Sequence, residues 1–292
     1  MKSFLASVAV ILALTASCGN PPRHSDGKLA VFVSIVPQKQ FVERIAGDLV
    51  DVTVMVEAGS DPHTYEPRPA QMAGLQYASL YFTIGVPFED VWMERIASSN
   101  TGMRIVDSAA GITRVVRVEG HEHGHEHHEG ALDPHIWLAP GLVKIQAGNI
   151  CSALQQIDPA NSDVYADNLE AFLAELDLLS AGIRSHLEMS GTTEFLVFHP
   201  AWGYFADEFG LEMMSVEQGG QEPSPSELAE IINLARERGI TVVFAQPEFS
   251  TDAADVIARE MGGSVVLVSP LSLDWAGSMR QIAETLAGVP YE

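Results

Sequence analysis

The sequence predicts an α/β protein: two α/β lobes with parallel sheets, joined by a single long rigid helix. Three observations predict it. From residue 29 to 157, short apolar runs rich in β-branched residues alternate with helix-period segments, the pattern of strand–helix–strand units around a parallel sheet. The same alternation resumes at residue 194. Between them runs one uninterrupted helical pattern of about 30 residues, roughly 45 Å at 1.5 Å per residue. That is long for a compact domain and suits a strut between two lobes.

The N-terminus, MKSFLASVAVILALTASCGN, sets Lys2 before an apolar run from 4 to 14 and ends it in small residues before Cys18. This is a secretory signal in form. Its apolar run falls short of the roughly 20 residues a spanning helix needs. The segment LTASC resembles a bacterial lipoprotein cleavage box, with Thr15 where that box usually has Leu. The resemblance implies a lipoprotein signal peptide over 1–18 and lipidation of Cys18. The chain is then expected outside the cytoplasm, in the periplasm or at the cell surface, touching membrane only through that N-terminal lipid. Residues 19–28 (GNPPRHSDGK) are polar and turn-rich, a tether.

The N-terminal lobe is expected over 29–157. Residues 29–36 are an apolar run rich in β-branched residues, consistent with a buried parallel strand. A helix follows over 37–46, closed by Gly47, then a strand at 51–56. The loop 59–69 (GSDPHTYEPRP) carries three prolines. Next come a helix at 70–77, a strand at 80–84, a helix at 89–98 and a strand at 104–106. Residues 119–130 (EGHEHGHEHHEG) are low-complexity and favour neither helix nor strand. A helix spans 141–157. The linking helix falls within 158–190, where Leu169, Phe172, Leu176, Leu179, Ile183 and Leu187 recur at helical spacing. The C-terminal lobe, 191–292, has strands at 194–198, 211–216, 241–246 and 264–268. Its helices are at 202–209, 225–238, 251–261 and 276–287. The joint between two such halves is where α/β folds bind ligands.

Composition narrows the partners. Asp and Glu number 39 against 16 Lys and Arg, a formal net charge of −23. Nucleic acid is excluded, because phosphate binding needs cationic side chains to release counterions. An anionic membrane surface is disfavoured on the same ground. Two cysteines cannot staple a chain this long and lack a zinc-site spacing. Cys151 sits in an apolar-periodic stretch and reads as a buried small hydrophobe.

The histidines carry the chemistry. His63 lies in SDPHTYEP, His135 in DPHIWL and His199 in VFHPAW, each next to a proline near a strand end or a joint between elements. One such histidine would read as a hydrogen-bonded structural residue. Three, spread over both halves, point to converging neutral imidazoles, a good site for Zn²⁺. Asp61 and Asp133 stand near enough to orient imidazoles through the second ring nitrogen.

These histidines belong to longer motifs: GSDPHTYEPRPAQM at 59–72, LDPHIWLAP at 132–140 and VFHPAWGYFADEFGL at 197–211, with EPSPSEL at 222–228 and FAQPEFS at 244–250. In them the chain resembles the substrate-binding proteins of bacterial ABC transporters for zinc and manganese, the cluster A-I metal receptors. The resemblance covers nearly the whole mature chain, 29–287. It implies two lobes bridged by a long rigid helix, with a metal site between the lobes. It also implies no enzymatic chemistry, and makes His63, His135 and His199 the first three metal ligands. Zinc members usually carry His at the third position and manganese members Glu, so His199 implies zinc. The chemistry agrees, since imidazole suits Zn²⁺ and carboxylate suits Mn²⁺.

The fourth ligand departs from the family. Members commonly supply an Asp just after the last strand; here that segment is SPLSLDW and the position is Ser269, a poor zinc ligand. Asp274 is expected to complete the set with the three histidines, and Glu248 of FAQPEFS or a water are its alternatives. Glu66 is a further carboxylate close to His63. Three histidines with an open position also resemble a catalytic zinc site. An extracytoplasmic zinc hydrolase, with Glu248 or Asp274 as base, is therefore the enzyme alternative, though no motif supports a substrate.

Residues 121–128 hold His121, His123, His125, His127 and His128, interleaved with Glu122 and Glu126. His121 to His125 fits the H-E-x-x-H pattern of zinc proteases, but that motif works on a helix, and Gly120, Gly124 and Gly130 punctuate the run. The expectation is a mobile accessory loop that binds metal more weakly, as zinc members often carry. The plain alternative is a solvated polar insertion. Its free imidazoles, with pKa near ~6.5, lose metal to protons below about that pH.

The remaining candidates are packing. Trp137, Trp202, Tyr204, Phe205 and Trp275 surround the site, His186 is exposed or partly packed, and Glu227, Glu230 and Glu237 lie on solvated helix faces. The function expected is a monomeric, high-affinity extracytoplasmic zinc receptor. It delivers Zn²⁺ to the membrane permease of an ABC importer, and ATP is hydrolysed elsewhere in the transporter. A manganese or iron receptor of the same fold is the alternative, and a cell-surface adhesin, as some relatives have been described, is a weaker one.

Overall fold

The computed structural model describes residues 27–116, 132–217, 221 and 223–288. Signal peptide, Cys18, most of the tether and the histidine run 121–128 lie outside the described residues. The strands form two four-stranded parallel sheets. In the first, β1 (Leu29–Ile35) is buried at all seven positions, as its largely apolar sequence requires. It pairs on one side with β2 (Val50–Val56) and on the other with β3 (Leu80–Thr83), which pairs with β4 (Arg104–Asp107). The order is β2-β1-β3-β4. The intervening helices are α1 (Val36–Ala46), α2 (Pro69–Gly74) and α3 (Pro87–Ser99), and α4 (Pro140–Ile157) follows. Prolines in the first turns of α1, α3 and α4 set φ where no N–H is needed.

The second sheet repeats the order as β6-β5-β7-β8, with β5 (Glu194–Val197), β6 (Glu212–Ser215), β7 (Val242–Ala245) and β8 (Ser264–Leu267). Its helices are α6 (Gly203–Phe209), α7 (Pro225–Glu237), α8 (Asp252–Met261) and α9 (Trp275–Ala287). Glu227 is not merely a solvated charge: with Ser224 it forms the capping box that starts α7. In each sheet the connections leave the first strand in opposite directions, so a crevice opens at the C-terminal strand ends.

The helix α5 (Ser162–Ser190) links the sheets, 29 residues long and so roughly 44 Å. It ends at Gly191, whose φ of 67° is a left-handed cap. Its buried residues Tyr165, Phe172, Leu176, Leu179, Ile183 and Leu187 form one stripe, and it packs on α1 and α4 of the first half and on α6 and α9 of the second. It is therefore a packed element of both halves, not a free strut. His186, expected at least partly exposed, is buried on this stripe with Nδ1 3.1 Å from the Gly182 carbonyl. Phe41 of α1 meets Phe172 at 6.0 Å and Trp275 at 5.1 Å between centroids, so one apolar cluster runs from β1 through α5 to α9. A smaller cluster, including Leu196, Val243, Ile231 and Ile257, lies among β5, β7, α7 and α8. Cys151 is buried, as expected.

One carboxylate is buried inside the first half. Glu89 accepts the N–H groups of Ile84 at 2.9 Å and Gly85 at 2.7 Å, and the hydroxyl of Ser34. Burial pushes its carboxyl up to about 7 against those donors. Among the described residues, no helix is long and apolar enough to cross a membrane.

Candidate metal centre

Each candidate histidine sits on a connection at the C-terminal side of its sheet. His63 follows β2, in a turn held by Asp61. The Asp61 carboxylate accepts the His63 backbone N–H at 2.8 Å and the Thr64 hydroxyl at 3.0 Å. Asp61 thus shapes the backbone and does not orient an imidazole. His135 precedes α4, beside a short 3₁₀ turn over Ile136–Leu138. Asp133 Oδ1 accepts its backbone N–H at 2.9 Å and meets its Nδ1 at 2.8 Å. His199 follows β5, and its Nδ1 meets Glu217 Oε2 at 2.7 Å.

The three rings converge. Centroids stand 5.9 Å apart for His63 and His135, 5.4 Å for His63 and His199, and 5.6 Å for His135 and His199. One ligand nitrogen from each lies within 4.8 Å of the others. Asp133 and Glu217 fix the proton of their partner rings on Nδ1, which leaves the Nε2 lone pairs for an ion, the usual arrangement behind metal-binding histidines. Small ring movements bring three such nitrogens to the ~2.0–2.1 Å of Zn–N bonds. His63 is the most exposed of the three and His135 is buried. The pKa of His63 is lowered to about 4, first by loss of solvent, then by the His135 imidazole, with Asp61 opposing. At neutral pH His63 therefore presents a lone pair and not a charge.

Glu217 was not among the sequence candidates. The signal for it lies in the sheet: β5 and β6 pair in parallel with Val197 opposite Ser215. Two residues further along each strand, that register sets His199 beside Glu217. Pairing partners become readable only once the strands are placed.

The pocket around the rings is lined from both halves, by Ser60, Asp61, Pro62 and Trp137 from the first and Gln246, Glu248, Phe249, Pro270 and Leu271 from the second. The Trp137 indole donates to the Pro270 carbonyl at 2.8 Å, and the Trp275 indole donates to the Trp137 carbonyl at 2.7 Å. The Tyr204 hydroxyl donates to the Asp133 carbonyl at 3.0 Å. Trp137 and Tyr204, expected as packing, thus also tie the halves together at the site.

Of the fourth-ligand candidates, the structure does not bring Asp274 to the cluster. Asp274 caps α9, its carboxylate accepting the Gly277 N–H at 2.9 Å. A short acidic side chain just before an amphipathic helix is a strong N-cap, and that role holds it away from the pocket lining. Glu248 does line the pocket, with Oε1 accepting the Ser269 hydroxyl. Glu66 is not among the lining residues. The described residues on either side of 117–131 meet near His135: Val116 and Leu132 form an antiparallel bridge, and Asp133 N–H donates to the Val115 carbonyl at 2.9 Å.

The family model described as ZnuA, zinc-uptake complex component A, periplasmic, matches residues 31–289. The chain is similar to the high-affinity zinc uptake system protein ZnuA of Bacillus subtilis (strain 168), 29% identical over 285 residues, 92% of this chain and 88% of that protein. Among solved structures it is similar to a crystal structure of ZnuA, at 42% identity and TM-score 0.83, covering 90% of this chain and 99% of that one. It is also similar to a zinc-bound ZnuA mutant with 138–173 deleted, at 41% identity and TM-score 0.82, covering 91% and 99%. The chain belongs to the family of periplasmic component A proteins of zinc-uptake complexes, the ZnuA family.

Proposed function

We propose that this protein is an extracytoplasmic zinc receptor that delivers Zn²⁺ to the membrane permease of an ABC importer. The observation that carries it is the trio His63, His135 and His199, whose ligand nitrogens lie within 4.8 Å of one another. The zinc-bound relative supports the metal, and the donor set supports it independently. Three neutral imidazoles suit Zn²⁺ better than Mn²⁺, which speaks for zinc over the manganese or iron reading. The ion is cargo, so the site needs affinity and a route for release, not a reaction. His63 and His135 come from the first half and His199 from the second, so a change in the halves' relative position draws the third ligand away from the other two.

The receptor works as a monomer outside the cytoplasm, held to membrane through lipid on Cys18. Residues 121–128 serve as an accessory zinc-binding loop, in a segment flanked by the Val116–Leu132 bridge, one residue from Asp133. The chain's parts are the signal 1–18, tether 19–28, N-terminal lobe 29–157, linking helix 158–190 and C-terminal lobe 191–292.

Zinc stoichiometry and affinity, measured by competition with a chelator, test this with and without 121–128. One tight ion that survives loop deletion, and is lost in the His63/His135/His199 triple alanine variant, is the expected result. If all tight binding leaves with the loop, the three histidines are structural and the receptor site is elsewhere.

A further inference from the structure

Two polar atoms in the pocket are buried without a partner. Glu248 Oε2 is one and Gln246 Nε2 is the other. Gln246 is only 7% exposed, and both residues line the same pocket as the three histidines. Leaving a carboxylate oxygen buried and unpaired costs several times what an ordinary hydrogen bond returns. Native structures leave few such groups, and a bound ion is one of the reasons for them.

Glu248 is not loosely placed. Its other oxygen, Oε1, accepts the Ser269 hydroxyl, and Ser269 Oγ in turn accepts the Leu271 N–H at 3.0 Å. The serine is thus fixed by the backbone after β8 and aims the carboxylate from one side. The unpaired oxygen belongs to a residue lining the pocket whose other polar wall is three metal-ready imidazoles. The ring of Phe249, the next residue, lies 6.0 Å from that of His199 at a tilt of 41°, so this loop is already seated against the cluster.

We propose that Glu248 is the fourth metal ligand, binding the ion through Oε2, and that Ser269 is its positioning residue. The inference rests on the receptor reading above and names the group that completes its site. Glu248 lies outside the group of nitrogens within 4.8 Å, so its side chain closes the remaining distance as the ion enters, with Oε1 still held by Ser269. Gln246 Nε2 is an unused donor in the same pocket, available to the metal-bound carboxylate. The ion then carries three neutral nitrogens and one anionic oxygen, a tetrahedral set that zinc accepts.

The test uses the full chain, with Zn²⁺ affinity from chelator competition and the visible spectrum of the one-equivalent Co²⁺ form, which reports the ligand set. Glu248→Gln is expected to weaken zinc on the order of a hundredfold and to alter the Co²⁺ spectrum. Ser269→Ala is expected to weaken it by about tenfold, the lower end of what losing a ligand's support costs, with Ser269→Thr restoring the wild-type value. Asp274→Asn is expected to change neither. Glu248→Gln with wild-type affinity and spectrum overturns the proposal and gives the fourth position to solvent. A changed spectrum in Asp274→Asn alone overturns it in favour of that residue. If Glu248→Gln does not fold, a crystal structure of the zinc-loaded wild type decides, by whether Oε2 is bound to the ion. A wild-type chain without a tight site, by contrast, sinks the receptor reading itself.

Discussion

His63 responds to acid in a direction set by its neighbours. The unfolded chain takes up a proton there near pH 6.5, while the folded chain refuses it until about pH 4. Between those values the unfolded state binds more protons, so the metal-free protein loses stability as pH falls through that window. His63→Asn takes up no proton in either state and flattens this part of the profile. Urea midpoints above and below the window check it: the difference between the two proteins should move in favour of the variant as pH drops. Glu217 and Asp274 separate site from scaffold at the same scale. Glu217→Ala frees the His199 ring, and a roughly 10–100-fold loss of zinc affinity is the expected result of losing such a support; a chelator titration reads it. Asp274→Ala removes a helix cap and costs about 1 kcal/mol of stability, with zinc affinity unchanged.

The helix α5 is the element on which both halves depend. Leu176 is 1% exposed on its buried stripe. Leu176→Ala removes packing that the surroundings cannot fully recover, at a cost of about 2–5 kcal/mol. Because α5 packs on helices of both sheets, far-ultraviolet circular dichroism and tryptophan fluorescence should still trace one coincident transition in the variant, the mark of cooperative unfolding. Two separate transitions would show instead that the halves fold independently of the helix. The periodicity of α5 was plain in the sequence, since Phe172, Leu176, Leu179 and Ile183 repeat at helical spacing. What it packs on was not, because periodicity gives a face and not a partner. The burial of His186 on that face escaped the sequence for the same reason.

For the whole molecule, zinc and folding are linked. A ligand that binds only the folded state stabilises it by mass action, by about 4.1 kcal/mol at a thousand times Kd. Thermal unfolding of the wild type should therefore move upward with added zinc. The triple alanine variant at His63, His135 and His199 should keep its metal-free midpoint at every zinc concentration. The indole bonds from Trp137 to Pro270 and from Trp275 to Trp137 join the halves at the pocket floor, so the ion adds to a contact between halves that exists without it.

The sequence by itself determined the elements, their alternation and the three histidines, because these are local properties. Apolar period distinguishes helix from strand, and a histidine beside proline at a strand end is visible in one dimension. The tertiary structure alone decided which groups meet. Glu217 reaches His199 through sheet register, Asp274 is claimed by the N-terminus of α9, and Glu248 shares a pocket with residues more than a hundred positions away, such as His63 and His135. Hydrogen bonding and burial between distant segments depend on how the sheets and α5 pack, and no spacing along the chain encodes that directly.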